Sequence, residues 1–245
     1  MRALASDFDG TIFFEDGFRD EDLKQIQAYK KQGNMFGICT GRPLADLQRD
    51  MTKSLDLDFY ICSTGALILD KEFNEIYKSV IERELVEELV NKYIKTLGVY
   101  IQSDRGFMTM RNEVNNHVIN DVINSLDDEK GEIYSVGLNA FNEENAKKIC
   151  LELKEAYPNL EAYQNKGGID IVPSGCSKGK GIQIIKNHFN IHHISGIGDS
   201  YNDIPLIRDS DCSFTFKSSP KEVIAHADYV VESMSDAINI LLKEI

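Results

Sequence analysis

The first apolar segment of the chain, residues 2–5, ends abruptly at the sequence SDFDGT of residues 6–11. Alternate residues of a strand share one face, so Asp7 and Asp9 at the end of a strand can converge on one cation. Asp7 is then a candidate carboxylate nucleophile and Asp9 a candidate general acid and base, while Gly10 allows a sharp turn that brings backbone N–H groups against an anion. A simple turn after an edge strand would explain the same residues without any chemistry.

Two further apolar segments are predicted strands that also end in polar residues. Residues 35–39 lead into the sequence TGRP at 40–43, and a helix is predicted after the proline, which suits a first helical turn. Thr40 at that strand end either donates to a phosphoryl oxygen or caps the helix. Residues 59–63 lead into a predicted hairpin. The alternation of strand, helix, strand, helix and strand predicts an α/β fold with a doubly wound parallel sheet and its site at the carboxyl ends of the strands.

The pattern changes between residues 79 and 168. Hairpins and helices follow one another there without strict alternation, which predicts an inserted α+β domain at 79–168 within a core of residues 1–78 and 169–245. One of its predicted helices spans 116–126. Two arginines of its predicted hairpin, Arg105 and Arg111, either bind a second anion or are surface charges.

The last third of the chain supplies two more polar segments. Lys178 is predicted in the first turn of a helix with Ser177 as its N-cap, where the charge of the lysine opposes the helix dipole. Such a local conflict favours a functional role over a solvated surface lysine. Asp199, Asn202 and Asp203 follow a fourth predicted strand, and a strand-to-helix turn can direct all three at the first motif. Their acids suit Mg²⁺, although an N-cap with surface acids is the alternative.

Taken together and in this order, the segments at 7–11, 40–43, 178–179 and 198–203 resemble the four motifs of the haloacid dehalogenase (HAD) superfamily. The closest resemblance is to its Cof-like sugar-phosphatase branch, which bears a type IIB cap. The resemblance implies a Rossmann-like catalytic core with a cap domain over the active site. It also implies Mg²⁺-dependent hydrolysis of a small phosphorylated metabolite, with sugar phosphates as the expected substrates, through an aspartyl-phosphate intermediate.

The resemblance further implies a role for each motif residue. Mg²⁺ is held by Asp7, the backbone carbonyl of Asp9 and Asp199. Asp203 either contacts these ligands without binding the metal itself or orients Lys178. Lys178 joins Asp7 and Asp9 as a catalytic residue, because it neutralises the phosphoryl oxygens. The predicted phosphate-binding residues are Gly10, Thr40, Gly41, Arg42 and Asn202. Thr64 stands where the family usually has Asn, so the substrate contact assigned to that Asn is not carried over.

Charge and composition limit the partners. The net charge of −13 over 245 residues argues against nucleic acid or an anionic membrane as the main partner. Five cysteines without a CxxC spacing predict reduced thiols rather than disulfides or a zinc site. The start of the sequence has no signal-peptide pattern, and no apolar run approaches the roughly 20 residues of a membrane span. A cytoplasmic protein is therefore predicted, and its oligomeric state is left open.

Two alternatives to a phosphatase remain at this stage. A phosphomutase on the same scaffold would keep every motif, and only its products would distinguish it. A non-catalytic regulatory protein that binds a phosphorylated metabolite is the second alternative. Crowded acids beside a phosphate argue against a pure binding protein, because like charges weaken binding.

Overall fold

The helices of the protein alternate with strands along most of the chain. The computed structural model describes residues 1–50, 55–109 and 121–243. The helices, in chain order, are α1 (Asp20–Lys31), α2 (Leu44–Asp50), α3 (Arg83–Tyr93), α4 (Glu143–Ala156), α5 (Lys178–His188), α6 (Ile204–Asp209), α7 (Lys221–Ile224) and α8 (Met234–Lys243). None of the helices in these described ranges is long and apolar enough to cross a membrane.

The strands form two main sheets and a small hairpin. In chain order they are β1 (Arg2–Ser6), β2 (Phe13–Phe14), β3 (Gly17–Phe18), β4 (Met35–Cys39), β5 (Phe59–Cys62), β6 (Leu67–Asp70), β7 (Glu75–Lys78), β8 (Gly98–Ser103), β9 (Gly106–Thr109), β10 (Asp121–Val122), β11 (Ile133–Asn139), β12 (Leu160–Asn165), β13 (Gly168–Pro173), β14 (His193–Ile197), β15 (Cys212–Phe216) and β16 (Tyr229–Val231). Three short 3₁₀ turns lie at Ser63–Gly65, Leu126–Asp128 and Tyr201–Asp203 among the described residues.

The larger sheet has eight strands in the order β16-β15-β14-β1-β4-β5-β6-β7. The strands from β16 to β5 run parallel, and β6 and β7 add an antiparallel edge. Strand β1 lies at the point where the chain order reverses, so the carboxyl ends of β14, β1 and β4 are neighbours. Open α/β sheets bind their ligands at such a point.

Both faces of the larger sheet are covered, which explains why its strands are almost continuously apolar. Leu4 of β1 belongs to a buried cluster with Ile26 of α1 and Ile238 of α8. Its neighbour Ala5 points to the opposite face and belongs to a cluster with Ile182 of α5. The sheet is therefore doubly wound, and the α/β fold class predicted from the sequence is confirmed.

The smaller sheet has six strands in the order β10-β9-β8-β11-β13-β12. One face packs on α3 and α4 through a separate buried cluster that includes Leu89, Val136 and Leu153. On the other face Tyr100 of β8 and Asp170 of β13 both lie in register with Gly137 of β11. This second face lies opposite the carboxyl ends of the strands of the larger sheet.

The division of the chain into a core and an inserted domain stays a prediction. Strand β13 pairs with β11 and β12 in the smaller sheet, although residues 169–172 were expected in the core. We therefore propose that the second boundary lies at 174–177 instead of 168/169. A short apolar segment has the same sequence pattern in either sheet, so the pattern of residues 169–172 does not show on which side of the boundary they lie.

Two local features differ from the sequence expectation. Residues 121–125 of the helix predicted at 116–126 are not helical, and Leu126 begins a 3₁₀ turn. Strand β10 pairs with β9, and the Asp128 carboxylate accepts hydrogen bonds from the backbone of Asn124 and Ser125. The remainder of that helix and Arg111 lie outside the described residues. Strands β2 and β3 form a hairpin that was not predicted, and its Phe13 ring stacks on Phe8 at 5.2 Å.

Candidate active site

The four sequence motifs meet at the carboxyl ends of the central strands of the larger sheet. Asp7 follows β1 directly, Thr40 follows β4, and Asp199 lies two residues beyond the end of β14. Since these three strands are parallel neighbours, their ends bring the residues together. Helix α5 begins at Lys178 beside them, with Ser177 as the predicted N-cap, whose hydroxyl accepts a hydrogen bond from the backbone of Lys180.

Lys178 lies between two acids in the interior. Its Nζ is 2.6 Å from Asp7 Oδ1 and 2.5 Å from Asp203 Oδ1. The side chains of Lys178 and Asp203 are fully buried, and that of Asp7 is 8% exposed. Burial alone would lower the pKa of Lys178, but the charges of Asp203 and Asp7 outweigh it and hold the pKa well above its usual value. Lys178 is therefore a fixed positive charge, and its two acids compensate its unfavourable place at a helix N-terminus.

Asp7, Asp199 and Asp203 form a cluster of acids. One carboxylate oxygen from each lies within 4.8 Å of the others. Asp203 also accepts hydrogen bonds from the backbone N–H groups of Asp199 and Ser200, at 3.0 and 2.9 Å, so both of its oxygens already have protein donors. Burial, followed by the negative charge of Asp7, raises the pKa of Asp199 to about 6. A cation between Asp7 and Asp199 would relieve this repulsion, and the oxygen donors suit a hard divalent ion.

Gly10 is required at its position for two reasons. Its φ of +81° lies in the left-handed region that disfavours other residues. A Cβ built on it would also lie 3.0 Å from Asp199 Oδ2. The turn after Asp9 therefore passes directly beside the acid cluster.

Asp9 does not join the acid cluster through its side chain. Arg42 Nε and Nη2 donate to the two carboxylate oxygens of Asp9 at 2.7 and 2.6 Å, in a bidentate pair. The guanidinium also lies over the Phe8 ring, 5.2 Å from its centroid. The Asp9 carboxylate thus pairs with a planar guanidinium instead of facing Asp7, and the convergence of the two carboxylates on one cation stays a prediction that these contacts do not support. The backbone carbonyl of Asp9 stays the predicted ligand.

The loop after β4 carries Thr40 and Gly41. Thr40 is buried, and its hydroxyl oxygen accepts a hydrogen bond from the backbone of Arg42 at 3.1 Å, which leaves its hydrogen to be donated elsewhere. A Cβ on Gly41 would lie 3.1 Å from Asp170 Oδ2. The predicted phosphate-binding residues of this loop thus line the same space as the acids.

Asp170 is the residue that the sequence analysis missed. It belongs to β13 of the smaller sheet, yet its Oδ2 accepts hydrogen bonds from Asn202 Nδ2 at 3.2 Å and Thr64 Oγ1 at 3.3 Å. Both donors belong to 3₁₀ turns at the edge of the larger sheet. An acid in the middle of the apolar segment 169–172 was the signal that could have found it.

A cavity of about 470 Å³ lies between the two sheets. Its floor consists of residues from the larger sheet and its loops: Asp7, Asp9, Thr40, Gly41, Arg42, Asp199 and Asn202. The residues of the smaller sheet that face it, which we call the roof, include Tyr100, Phe107, Gly137, Asn139, Lys166 and Asp170. The cavity is therefore acidic at its base but has cations at Arg42 and Lys166, and Lys166 Nζ lies 3.5 Å from Asp199 Oδ2.

Arg105 is not part of this cavity. It pairs with Asp121 and with the buried Glu129, and it also donates to the carbonyl of Asp128. The alternative of a surface charge is therefore the one that the contacts of Arg105 support, and its ion pairs hold it against the neighbouring segments of its own sheet. All five cysteines are free and buried.

The fold has close counterparts among solved structures. A HAD subclass IIB sugar phosphatase superimposes with a TM-score of 0.83 and 25% identity, covering 98% of this chain and 99% of that one. A haloacid dehalogenase-like hydrolase from B. subtilis superimposes with a TM-score of 0.86 and 16% identity, covering 100% of this chain and 99% of that one. These similarities define the class of protein, an α/β protein with the fold of the HAD superfamily.

The sequence comparisons identify the family. The model of the haloacid dehalogenase-like hydrolases matches residues 4–239. The 5-amino-6-(5-phospho-D-ribitylamino)uracil phosphatase YcsE of Bacillus subtilis is 22% identical over 240 residues, which cover 95% of this chain and 90% of that protein. An HMP-PP phosphatase of Yersinia pestis is 24% identical over 224 residues, covering 84% and 80%. The chain belongs to the haloacid dehalogenase-like hydrolase family, among its phosphatases, as the four motifs predict.

Proposed function

We propose that the protein is a Mg²⁺-dependent phosphomonoester hydrolase that acts on small phosphorylated metabolites, with sugar phosphates as the expected class. The observation that carries this proposal is the position of Asp7, which lies at the base of the cavity with one oxygen held 2.6 Å from Lys178 Nζ. The fixed ammonium orients the carboxylate and balances the charge of an approaching phosphoryl group. The other oxygen of Asp7 is the nucleophile in this proposal, attacking phosphorus in line and forming an aspartyl-phosphate.

The metal assignment rests on the acid cluster. Asp7, Asp199 and the carbonyl of Asp9 would hold Mg²⁺, while Asp203, whose oxygens are engaged by Lys178 and the loop backbone, keeps these groups in place. A bound divalent ion would supply charge neutralisation at the phosphoryl oxygens. The raised pKa of Asp199 is consistent with the assignment, since burial first and the charge of Asp7 second disfavour its ionised form, and a cation would favour it.

Asp9 and Arg42 would exchange partners when substrate binds. Both carboxylate oxygens of Asp9 accept hydrogen bonds from Arg42, whereas a general acid must have its carboxyl free to reach the leaving group. A phosphate that draws the guanidinium toward itself would release the Asp9 carboxyl. Protonated Asp9 then gives its proton to the leaving alkoxide. In the second step Asp9 takes a proton from water, which attacks the aspartyl-phosphate and releases inorganic phosphate and free Asp7.

The products distinguish the remaining functions. Incubation with a panel of phosphorylated metabolites, followed by phosphorus NMR, should show release of inorganic phosphate in the presence of Mg²⁺. An isomerised sugar phosphate without phosphate release would identify a phosphomutase instead. Binding without turnover of any member of the panel or of p-nitrophenyl phosphate would favour the regulatory protein.

Removal of the metal is expected to abolish activity. Exhaustive chelation should stop hydrolysis of p-nitrophenyl phosphate, and added Mg²⁺ should restore it. Ca²⁺ should restore it poorly, because its higher and looser coordination disturbs the in-line arrangement. Full activity after chelation would refute the metal assignment.

A matched pair of variants controls this experiment. Asp199→Asn should raise the Mg²⁺ concentration that gives half-maximal activity, because one ligand charge is lost. Asp127→Asn, at a side chain that is 82% exposed and remote from the cavity, should leave that concentration unchanged.

Gly137 is expected to set the space for the leaving group. It lies in the roof between Asp170 and Tyr100, without the positive φ that would require glycine, and a Cβ there meets Tyr100 Cβ at an ordinary 3.5 Å. Gly137→Leu should therefore fold but lower kcat/KM for a sugar phosphate by roughly 10- to 200-fold, while acetyl phosphate, whose leaving group is small, is largely spared.

The ratio of kcat/KM values for the two substrates is the measurement. Gly137→Ala serves as the graded control, since one methyl group should change the ratio less than a leucine side chain does. An equal loss for both substrates would contradict a role of Gly137 in leaving-group selection.

A further inference from the structure

Asp170 is a partly buried acid that the proposed mechanism does not use. Asp170 faces a cavity that is proposed to receive a phosphate. A further negative charge there weakens phosphate binding, so an acid at this position needs an explanation. Burial also raises the pKa of its carboxyl, which reflects the cost of keeping a charge there. The hydrogen bonds of Asp170 indicate why an acid is present at this position.

One oxygen of Asp170 joins two loops of the larger sheet to the smaller sheet by hydrogen bonds and lies close to a third loop. Oδ2 accepts from Asn202 Nδ2 at 3.2 Å and from Thr64 Oγ1 at 3.3 Å, and it lies 3.1 Å from the position of a Cβ on Gly41. Each of these three loops follows a different strand of the larger sheet. Asp170 is therefore the common acceptor at the junction of the roof and the floor.

The Thr64 turn needs such a contact. Ser63 and Thr64 both have left-handed backbone angles, with φ of +47° and +54°, and Gly65 follows with +91°. Consecutive residues other than glycine in this region are strained and persist only when their surroundings hold them. The hydrogen bond from the Thr64 hydroxyl to Asp170 is one of the contacts that hold this turn.

The orientation of the Asn202 amide matters most for chemistry. An amide nitrogen carries two hydrogens, so Nδ2 can give one to Asp170 and direct the other into the cavity. If the amide rotated by half a turn, its oxygen would replace the nitrogen and repel a phosphoryl oxygen. A carboxylate at Asp170 excludes the rotated state, because two acceptors would then face each other.

We propose that Asp170 is a positioning residue that fixes the Asn202 amide with its donor group toward the phosphoryl group of the substrate. The proposal rests on the proposed function, since it takes Asn202 as a phosphate contact. Loss of Asp170 should lower kcat/KM by about 10- to 100-fold, the range of one to two charge-assisted hydrogen bonds. The loss should be equal for p-nitrophenyl phosphate and for a sugar phosphate, because both carry the same phosphoryl group.

A double-mutant cycle tests the proposal. Asp170→Ala, Asn202→Ala and the double variant are compared by kcat/KM. If Asp170 acts through Asn202, Asp170→Ala should have little further effect in the Asn202→Ala background, about threefold or less. A full, multiplicative loss in that background would overturn the proposal. A loss confined to sugar phosphates would also overturn it and would assign Asp170 to the leaving group.

Two controls keep the cycle interpretable. Asp170→Asn retains a carbonyl acceptor of the same size and should recover part of the activity, and it replaces the alanine variant in the cycle if that variant folds poorly. Asp104→Ala, at an exposed acid in the β8–β9 turn of the same sheet, should behave as the wild type. A wild type without Mg²⁺-dependent turnover would refute the proposed function. The same cycle, measured by calorimetry as affinity for inorganic phosphate, then still decides whether Asp170 acts through Asn202.

Discussion

Replacement of Asp7 by asparagine is expected to lower kcat by about 10⁴-fold or more, the scale seen when a nucleophile that forms a covalent intermediate is removed. Asparagine keeps the size and shape of the side chain but has no carboxylate to attack phosphorus. Lys178 keeps its contact with Asp203 in the variant, so the interior retains one of its two ion pairs. Initial rates with p-nitrophenyl phosphate measure the loss, and circular dichroism checks the fold.

Asp16→Asn is the matched control for this substitution. Asp16 is an exposed acid in the turn between β2 and β3, nine residues along the same chain segment, and it has no place in the proposed mechanism. Its variant should retain wild-type kcat. Wild-type turnover in Asp7→Asn would end the covalent mechanism and leave Asp7 as a metal ligand only.

The larger sheet and the four motifs could be predicted because their signals are local. An apolar run that ends in Asp7, Thr40 or Asp199 shows both the strand and its polar end, and parallel pairing then brings such ends together. The burial of Lys178 could also be inferred, since a lysine in a first helical turn is unfavourable without partners. The contacts of that lysine with Asp7 and Asp203 agree with this inference.

What could not be predicted depends on contacts between distant segments. The pairing of Asp9 with Arg42 and the reach of Asp170 to Asn202 and Thr64 join residues that are 33, 32 and 106 positions apart. Such contacts leave no periodic pattern in the sequence. The predicted boundary placed residues 169–172 in the core, whereas β13 pairs with β11 and β12, because a buried strand has the same pattern beside any partner.

Removal of the Lys178 charge is expected to affect both activity and folding. Lys178→Met keeps the length of the side chain but leaves Asp7 and Asp203 buried without their cation, and breaking a buried ion pair in this way costs about 3–5 kcal/mol. Urea denaturation measures the loss in the free energy of unfolding. The matched control is Lys180→Met, two residues later in the same helix but exposed, which should change stability by no more than about 0.5 kcal/mol.

The pH dependence of this loss separates electrostatics from packing. Burial, followed by the charge of Asp7, already raises the pKa of Asp203 to about 7 in the wild type, where Lys178 acts to lower it. Loss of the ammonium should therefore raise this pKa further. The folded variant then binds more protons than the folded wild type, while the unfolded chains titrate alike at this carboxyl, so the stability of the variant relative to the wild type should rise as the pH falls from about 8 to about 5. If the difference in the free energy of unfolding between Lys178→Met and the wild type stays constant over this range, the lysine acts by filling space. If this difference in the free energy of unfolding becomes smaller as the pH falls, the acids beside the proposed phosphate site depend on the positive charge of Lys178 to remain ionised in the interior.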